Sequence, residues 1–197
     1  MRLVVATRNA AKLRELRDLL SGLPVEVLSL DAFPDAPDVP EPFDTFAENA
    51  AEKAVVTARA IGEWVVADDS GLEVEALRGA PGVQSRRVAE SDEQRIRWLL
   101  SRLADVPPER RRARFVCACA LASPRGLEGQ WVGTAEGVIA DGPRGTGGFG
   151  YDPIFHYPPE RKTFAEMTQE EKGAVSHRGQ ALRAFRRAFA HTASSQD

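Results

Sequence analysis

The chain has 197 residues, of which 43% are hydrophobic and 28% are charged, values typical of a globular protein with a substantial core. Its formal net charge of −3 gives no general attraction for nucleic acid, so we expect no nucleic-acid partner. Every apolar run is far shorter than the roughly 20 residues that cross a bilayer, so we expect no membrane partner. No basic and apolar leader precedes the first apolar run, which favours a cytoplasmic location.

Two local features carry little functional information. Cys117 and Cys119 alternate within an apolar run, which indicates small buried side chains on one face of a strand, and the spacing matches neither a C-x-x-C motif nor a zinc site. The basic run from Glu109 to Arg114 follows two prolines. Its position favours a solvated loop, and a contact with phosphate or RNA is the alternative.

The first motif is a strand, a polar turn and a helix. Residues 3–6 form an apolar run with strand character, and leucines at 13, 16, 19 and 20 recur at helical spacing. The free N–H groups and the dipole of a helix N-terminus bind anions, and Lys12 lies in the first helical turn. Either this segment binds a phosphate, or Thr7 or Asn9 caps the helix and Lys12 is solvated.

A second strand over residues 25–28 leads into an acidic, proline-rich loop over residues 31–44. The four prolines of this loop exclude a regular helix, and long loops in compact proteins are often functional. Glu41 lies late in the loop. Thr45 and Glu48 then predict a capping box that opens an alanine-rich helix, which we expect to end near Ile61.

Charged side chains share faces of this second helix. Asn49 and Lys53 are four residues apart and lie on one face, while Glu48 and Glu52 lie on an adjacent face. The helix therefore either presents a solvated surface or completes a pocket for magnesium and phosphate.

Two adjacent carboxylates follow the next apolar run. We expect a strand over residues 64–67 that ends at Asp68 and Asp69, with a turn at Ser70 and Gly71. Carboxylates at the carboxyl end of a strand suit a hard cation beside a substrate, and an Asx-turn is the alternative.

The remaining elements predict a mixed sheet. Strands over residues 115–122 and 131–139 flank a turn at residues 124–126, which indicates an antiparallel hairpin after the parallel units at the start of the chain. Ser91 with Gln94 and Thr168 with Glu171 predict two capped helices, and a final helix carries Leu182, Phe185 and Phe189.

The glycine-rich segment over residues 142–155 has the most unusual composition in the chain. Its glycines allow a ligand to approach the backbone closely, and Phe149 and Tyr151 offer ring faces for a purine. A mobile surface loop is the alternative. Further along, His177 and Arg178 are either part of a helix cap or hydrogen-bond donors to a base.

Four segments in this order resemble the inosine triphosphate pyrophosphatase family, the HAM1-like hydrolases of non-canonical purine nucleoside triphosphates. The segments cover residues 7–12, 45–50, 67–72 and 147–153, and residues 176–179 match the C-terminal signature of that family. The resemblance extends to about residue 189. It implies an α/β fold with a mixed twisted sheet flanked by helices, and two lobes around a nucleotide-binding cleft. We expect a single domain over residues 1–190 and a frayed tail over residues 191–197.

The resemblance also implies roles for individual residues. Asp69 would be the catalytic proton acceptor and, with Glu41 and Asp68, would belong to the metal site. The triphosphate would be bound by Thr7, Arg8, Asn9, Ala10, Ala11 and Lys12, with the assistance of Lys53. Ser70 would touch the substrate. The base would be held by Phe149, Gly150, Tyr151, Asp152, Lys172, His177 and Arg178.

The activity implied is Mg²⁺-dependent hydrolysis of ITP, dITP and XTP to the monophosphate and pyrophosphate, in a homodimer. A nucleotide-binding regulatory module without turnover is the alternative, and the pair of aspartates argues against it. One segment departs from the family pattern: residues 85–88 read Ser-Arg-Arg-Val where many relatives have Ser-Ala-Arg-Tyr. The basic residue is retained at Arg87, and Val88 replaces the aromatic residue.

Overall fold

The computed structural model describes residues 2–8 and 10–194, with side chains for all of these except residues 10, 11, 15 and 191–194. Short 3-10 turns connect many of the elements. The helices and strands, in chain order, are β1 (Arg2–Val5), α1 (Ala10–Leu20), β2 (Glu26–Ser29), α2 (Phe46–Ile61), β3 (Trp64–Val74), α3 (Asp92–Arg102), β4 (Arg112–Ser123), β5 (Gly126–Ile139), β6 (Phe155–Tyr157), β7 (Lys162–Thr163), α4 (Gln169–Val175) and α5 (His177–Ser194).

The seven strands of the described residues belong to one sheet, in the order β2-β1-β3-β4-β5-β6-β7. β1 is parallel to both of its neighbours, with Val5 opposite Ser29 of β2 and opposite Val66 of β3. β6 is antiparallel to β5 and to β7. The predicted α/β class with a mixed sheet is therefore confirmed.

The chain divides into two compact units. The first contains the residues up to Asp69, residues 117–132 and the residues from 181 onward, and the second contains residues 70–116 and 133–180. Each unit has its own apolar core. Cys117 and Cys119 are buried in the core of the first unit, as their spacing predicts. The core of the second unit includes the rings of Phe115 and Phe164, which are stacked, and the ring of Phe155, which is tilted against both. A single domain over residues 1–190 stays a prediction.

The helices begin where the capping patterns indicate. The Ser91 and Thr168 side chains cap α3 and α4, each in a complete capping box. At α2 the Thr45 hydroxyl accepts from the Glu48 N–H at 3.2 Å, and the exposed Glu48 carboxylate accepts from that hydroxyl at 2.6 Å. α5 extends to Ser194, into the segment predicted to be frayed. Within the described residues, no helix combines the length and the apolar character needed to cross a bilayer.

The turn predicted at Ser70 is absent from β3, so that prediction is wrong. β3 runs without interruption from Trp64 to Val74 and contains Asp68, Asp69 and Ser70 in its middle. Leu72 and Val74 are fully buried in the core of the second unit, and their burial outweighs the turn preference of a Ser-Gly pair. An Asx-turn is excluded for the same reason. Because β1 ends at Val5, opposite Val66, the two aspartates lie just beyond the carboxyl end of β1.

The prediction that the basic run from Glu109 to Arg114 forms a solvated loop is also wrong in part. Arg111 is buried, and its guanidinium donates to the carbonyl oxygens of Leu103 and Val106 at 3.0 and 2.8 Å and to the Asp141 carboxylate at 2.9 Å. β4 begins at the next residue, Arg112. The planar guanidinium carries several N–H donors, so one arginine bonds two carbonyls after α3 and a carboxylate at the same time.

Candidate functional site

Acidic and basic side chains meet in the first unit. Lys12, in the first turn of α1, donates to the Asp68 carboxylate of β3 at 2.8 Å. Lys53, on α2, forms an ion pair with Glu41 of the proline-rich loop and donates to the Asp68 carbonyl at 3.4 Å. These side chains retain between 13% and 25% of their exposure, so water and a ligand can reach them. We call Lys12, Glu41, Lys53, Asp68 and Asp69 the acid–lysine cluster.

Asp69 belongs to this cluster through a residue that the sequence analysis did not assign to the site. The Asp69 carboxylate accepts a hydrogen bond from the side-chain amide of Asn49 at 3.1 Å. Asn49 lies one helical turn before Lys53 on α2, and it is fully buried. The shared face of Asn49 and Lys53 was visible in the sequence, but a buried partner for Asn49 was not.

The other residues predicted to bind phosphate lie at the start of α1. The Thr7 N–H donates to the Val5 carbonyl at 2.7 Å, and Arg8 is exposed. Asn9 lies outside the described residues. α1 begins at Ala10, and the side chains of Ala10 and Ala11 are likewise not described. Contact of residues 7–11 with a triphosphate stays a prediction.

The donor set of the cluster fits a magnesium ion that is shared with a ligand. The described side chains include no group of three or more His, Cys, Asp or Glu residues arranged to hold a metal by themselves. Two of the carboxylates are paired with lysines, as noted above. Mg²⁺ commonly uses only one or two protein carboxylates and takes its other ligands from phosphate and water. If Lys12 and Lys53 donated to a bound phosphate, the carboxylates that they now pair with would become available to the ion, which suits this mode of binding.

In the second unit, a half-exposed aromatic ring lies beside two cations. The Lys172 ammonium is 4.8 Å from the centroid of the Phe149 ring, and the Arg178 guanidinium carbon is 5.8 Å from it. Lys172 also donates to the buried carboxylate of Asp152 at 2.5 Å. The structure thus brings together four of the residues predicted to hold the base. We call Phe149, Asp152, Lys172 and Arg178 the ring–cation cluster.

The Asp152 carboxylate also shapes the glycine-rich loop. It accepts from the Phe149 N–H at 2.8 Å. Gly148 has a φ of +72°, and a Cβ placed on it would lie 2.0 Å from the carboxylate. At the next turn the Gly150 N–H donates to Asp92, the first residue of α3, at 2.7 Å. Nothing in the sequence pointed to Asp92 as a partner of this loop.

Tyr151 differs from Phe149 in its surroundings. Only 3% of Tyr151 is exposed, and its hydroxyl donates to the Ser85 carbonyl at 2.9 Å. Burial raises the pKa of Tyr151 to about 12. Its ring therefore packs in the core beneath the loop, and of the two aromatic residues only Phe149 presents an exposed face.

His177 and Arg178 open α5, and neither caps it. The Ser176 hydroxyl accepts from the Gly179 N–H at 3.1 Å. Arg178 donates to the Ser70 hydroxyl at 3.1 Å. Ser70, which was predicted to touch the substrate, therefore lies beside the ring–cation cluster. The buried His177 ring stacks on Phe115, with centroids 4.7 Å apart and an interplanar angle of 10°.

These features define an α/β protein that gathers carboxylates and lysines in one unit and an exposed aromatic ring with two cations in the other. The Ham1 family profile matches residues 3–188, so the chain belongs to the Ham1 family. The resemblance to the HAM1-like pyrophosphatases is thereby confirmed.

Curated relatives cover nearly the whole chain. A dITP/XTP pyrophosphatase of Geobacter sulfurreducens is 54% identical over 184 residues, which are 92% of this chain and 92% of the relative. A dITP/XTP pyrophosphatase of Streptomyces coelicolor is 50% identical over 189 residues, which are 93% and 94% of the two chains.

Solved structures agree in fold. A HAM1 protein from Coxiella burnetii superimposes with a TM-score of 0.91 at 39% identity, over 97% of this chain and 99% of the other. A nucleoside-triphosphatase (dITP/XTP pyrophosphatase) from Mycobacterium abscessus gives a TM-score of 0.79 at 48% identity, over 94% and 98% of the two chains.

Proposed function

We propose that this protein is a nucleoside triphosphate pyrophosphatase that removes non-canonical purine nucleotides. Its substrates would be ITP, dITP and XTP, and its products the nucleoside monophosphate and pyrophosphate. The observation that carries the proposal is the acid–lysine cluster, because lysines already paired with carboxylates can exchange those carboxylates for phosphate oxygens, which leaves the carboxylates available to a cation. The names of relatives about half identical over almost the whole chain support the same reaction.

In this proposal Asp69 activates the attacking water. The water oxygen attacks the α-phosphorus, the bond from that phosphorus to the bridging oxygen breaks, and pyrophosphate leaves. Asp69 accepts the proton of the water as the new bond forms. Lys12 and Lys53 donate to phosphate oxygens and stabilise the negative charge that develops on the leaving group.

The cofactor proposed is Mg²⁺, held by Glu41, Asp68 and Asp69 together with the triphosphate. When bound, this ion would supply charge neutralisation at the phosphate oxygens and a lower pKa for coordinated water.

The ring–cation cluster accounts for the choice of base. Hypoxanthine and xanthine carry an acceptor at position 6, where adenine carries an amino donor. Arg178 and Lys172 offer only donors, so they pair with a 6-oxo group and not with an amino group. The exposed Phe149 ring offers a face on which a purine stacks. Guanine shares the 6-oxo group, so its exclusion would depend on its 2-amino group.

Two further parts of the proposal concern the cell and the assembly. We propose that the protein acts in the cytoplasm, where nucleotide pools turn over. We also propose that it is a homodimer. Sedimentation at several protein concentrations tests the homodimer, and a monomer at all of them would refute it.

A panel of triphosphates tests the function. Purified protein with Mg²⁺ is offered ITP, dITP, XTP, GTP and ATP, and released pyrophosphate and monophosphate are measured. We expect kcat/KM for the first three to exceed that for GTP and ATP by about tenfold or more, since an unmatched buried polar group costs ~1–3 kcal/mol. Chelation should abolish turnover and added Mg²⁺ should restore it. Binding without pyrophosphate release would instead support a regulatory module.

A further inference from the structure

Asn49 makes three side-chain hydrogen bonds that join three parts of the first unit. Its Oδ1 accepts from the Phe43 N–H at 3.0 Å, and its Nδ2 donates to the Phe43 carbonyl at 3.1 Å. The same Nδ2 donates to Oδ2 of Asp69 at 3.1 Å. A single side chain of α2 therefore links the end of the proline-rich loop to β3.

The backbone of Phe43 determines which way this amide faces. A backbone N–H only donates, so the Asn49 atom that meets it must be the oxygen, and the nitrogen must lie on the side of the Phe43 carbonyl and Asp69. The two hydrogens of Nδ2 match these two acceptors. The N–H directed at Asp69 is thus oriented by groups other than Asp69 itself.

The next turn of α2 repeats the connection. Lys53 lies on the same face, forms the ion pair with Glu41 of the proline-rich loop and donates to the Asp68 carbonyl of β3. α2 begins at its Thr45 cap, two residues after Phe43, so the loop end is held close to the start of a regular helix. Asn49 and Lys53 together fix the loop that carries Glu41 relative to the two aspartates.

We propose that Asn49 is a positioning residue for Asp69, an inference that rests on the proposed function. Its N–H holds the Asp69 carboxylate in the orientation that receives the proton of the attacking water. Its pairing with the Phe43 backbone holds the end of the Glu41 loop in the same arrangement. An aspartate at this position retains an acceptor for the Phe43 N–H but has no N–H for Asp69 or for the Phe43 carbonyl.

The main test is the separation of kcat from KM in the Asn49→Asp protein at saturating Mg²⁺. We expect kcat for ITP to fall about ten- to a hundredfold, because a misplaced catalytic group costs factors of this size. KM should stay within about threefold, because the lysines that bind phosphate are unchanged. Asn49→Ser has a smaller side chain and adds no carboxylate beside Asp69, and it should show the same fall in kcat with little change in KM. It replaces Asn49→Asp in the test if that variant does not fold.

Thr57→Val is the matched control. Thr57 is equally buried and lies on α2 two turns after Asn49 and one turn after Lys53. Its replacement lowers stability without touching Asp69, and kcat should stay within about twofold of wild type. A folded Asn49 variant with wild-type kcat, or an equal loss of kcat in Thr57→Val, would overturn the positioning role.

A second measurement does not depend on activity. The Asn49 side-chain NH₂ signals in a ¹H–¹⁵N NMR spectrum are identified by their loss in Asn49→Asp, and they should shift more than other side-chain amides in Asp69→Ala. If they do not move, the contact is absent and the inference fails. Wild-type protein that releases no pyrophosphate would refute the proposed function alone, and the NMR result would then decide the contact.

Discussion

Asp68 and Asp69 are neighbours on β3, yet their side chains have different partners. Successive side chains of a strand point to opposite faces, and here Asp68 meets Lys12 whereas Asp69 meets Asn49. A carboxylate paired with a lysine is suited to charge balance at a phosphate site. A carboxylate that receives an amide N–H is held in a defined orientation, which suits a proton acceptor.

The first prediction follows from this difference. Asp69→Asn should lower kcat for ITP by about 10²–10⁴-fold, because an amide does not accept the proton of the water. Nucleotide binding should persist, which equilibrium binding of ITP measures alongside the steady-state rates. Asp68→Asn serves as the comparison, and if that variant were inactive while Asp69→Asn turned over normally, the two roles would be reversed.

The second prediction concerns Arg178. Arg178→Ala should lower kcat/KM for ITP by about tenfold or more while kcat/KM for ATP changes little, because only the 6-oxo base loses a hydrogen bond. Arg187→Ala, at an exposed position of the same helix, should leave both values near wild type. Equal losses for ITP and ATP would assign Arg178 to phosphate binding or to structure, and thermal unfolding of each variant separates these two.

At the scale of elements, the glycine-rich loop is organised by one buried carboxylate. The Asp152 carboxylate accepts hydrogen bonds from the Phe149 N–H and from the Lys172 ammonium. The positions of the exposed ring and of the cation therefore depend on the same group. Gly148 leaves the space that this carboxylate occupies. The loop therefore supports Phe149 through specific contacts. A mobile surface loop, the alternative that the sequence left open, does not account for these contacts.

Two glycines of this loop provide the third prediction. A Cβ at Gly148 would meet the Asp152 carboxylate, whereas a Cβ at Gly150 would meet nothing within 4 Å, although both residues have positive φ. Gly150→Ala should cost only backbone strain of ~1–2 kcal/mol in unfolding free energy. Gly148→Ala should in addition lower kcat/KM for ITP by about tenfold, through displacement of Lys172 and Phe149. Similar activities for the two variants would contradict this role of Asp152.

At the scale of the whole molecule, the buried hydroxyl of Tyr151 links stability to alkaline pH. Its folded pKa of about 12 lies above the ordinary value of 10.0. The unfolded chain therefore loses this proton before the folded chain does. The stabilisation from Tyr151 is complete below pH 10 and is lost as the pH rises through about 12.

The fourth prediction compares Tyr151→Phe with wild type in denaturant unfolding. Below pH 10 the variant should be less stable by ~1–3 kcal/mol, because the buried Ser85 carbonyl loses its donor. The difference should shrink between pH 10 and about 12, since only wild type has this group to titrate. Tyr157→Phe should retain the alkaline loss of stability, because Tyr151 is intact. A constant difference across this pH range would refute the linkage.

The sequence by itself determined the features that depend on neighbouring residues. The Ser91 and Thr168 caps, the strand at Val4 and the buried pair Cys117 and Cys119 follow from local pattern. The ordered motifs likewise predicted the family and the α/β class, since family motifs report on the whole fold.

Only the tertiary structure decided what depends on residues distant in the chain. β3 continues through Asp69 because Leu72 and Val74 are buried further on, and Arg111 is buried because carbonyls after α3 and Asp141 pair with it. The Asn49 amide nitrogen faces Asp69 because the Phe43 N–H bonds the amide oxygen and so fixes the orientation of the amide. Burial and the pairing of buried polar groups outweigh local turn and loop preferences, because an unpaired buried group costs more free energy than a local preference supplies.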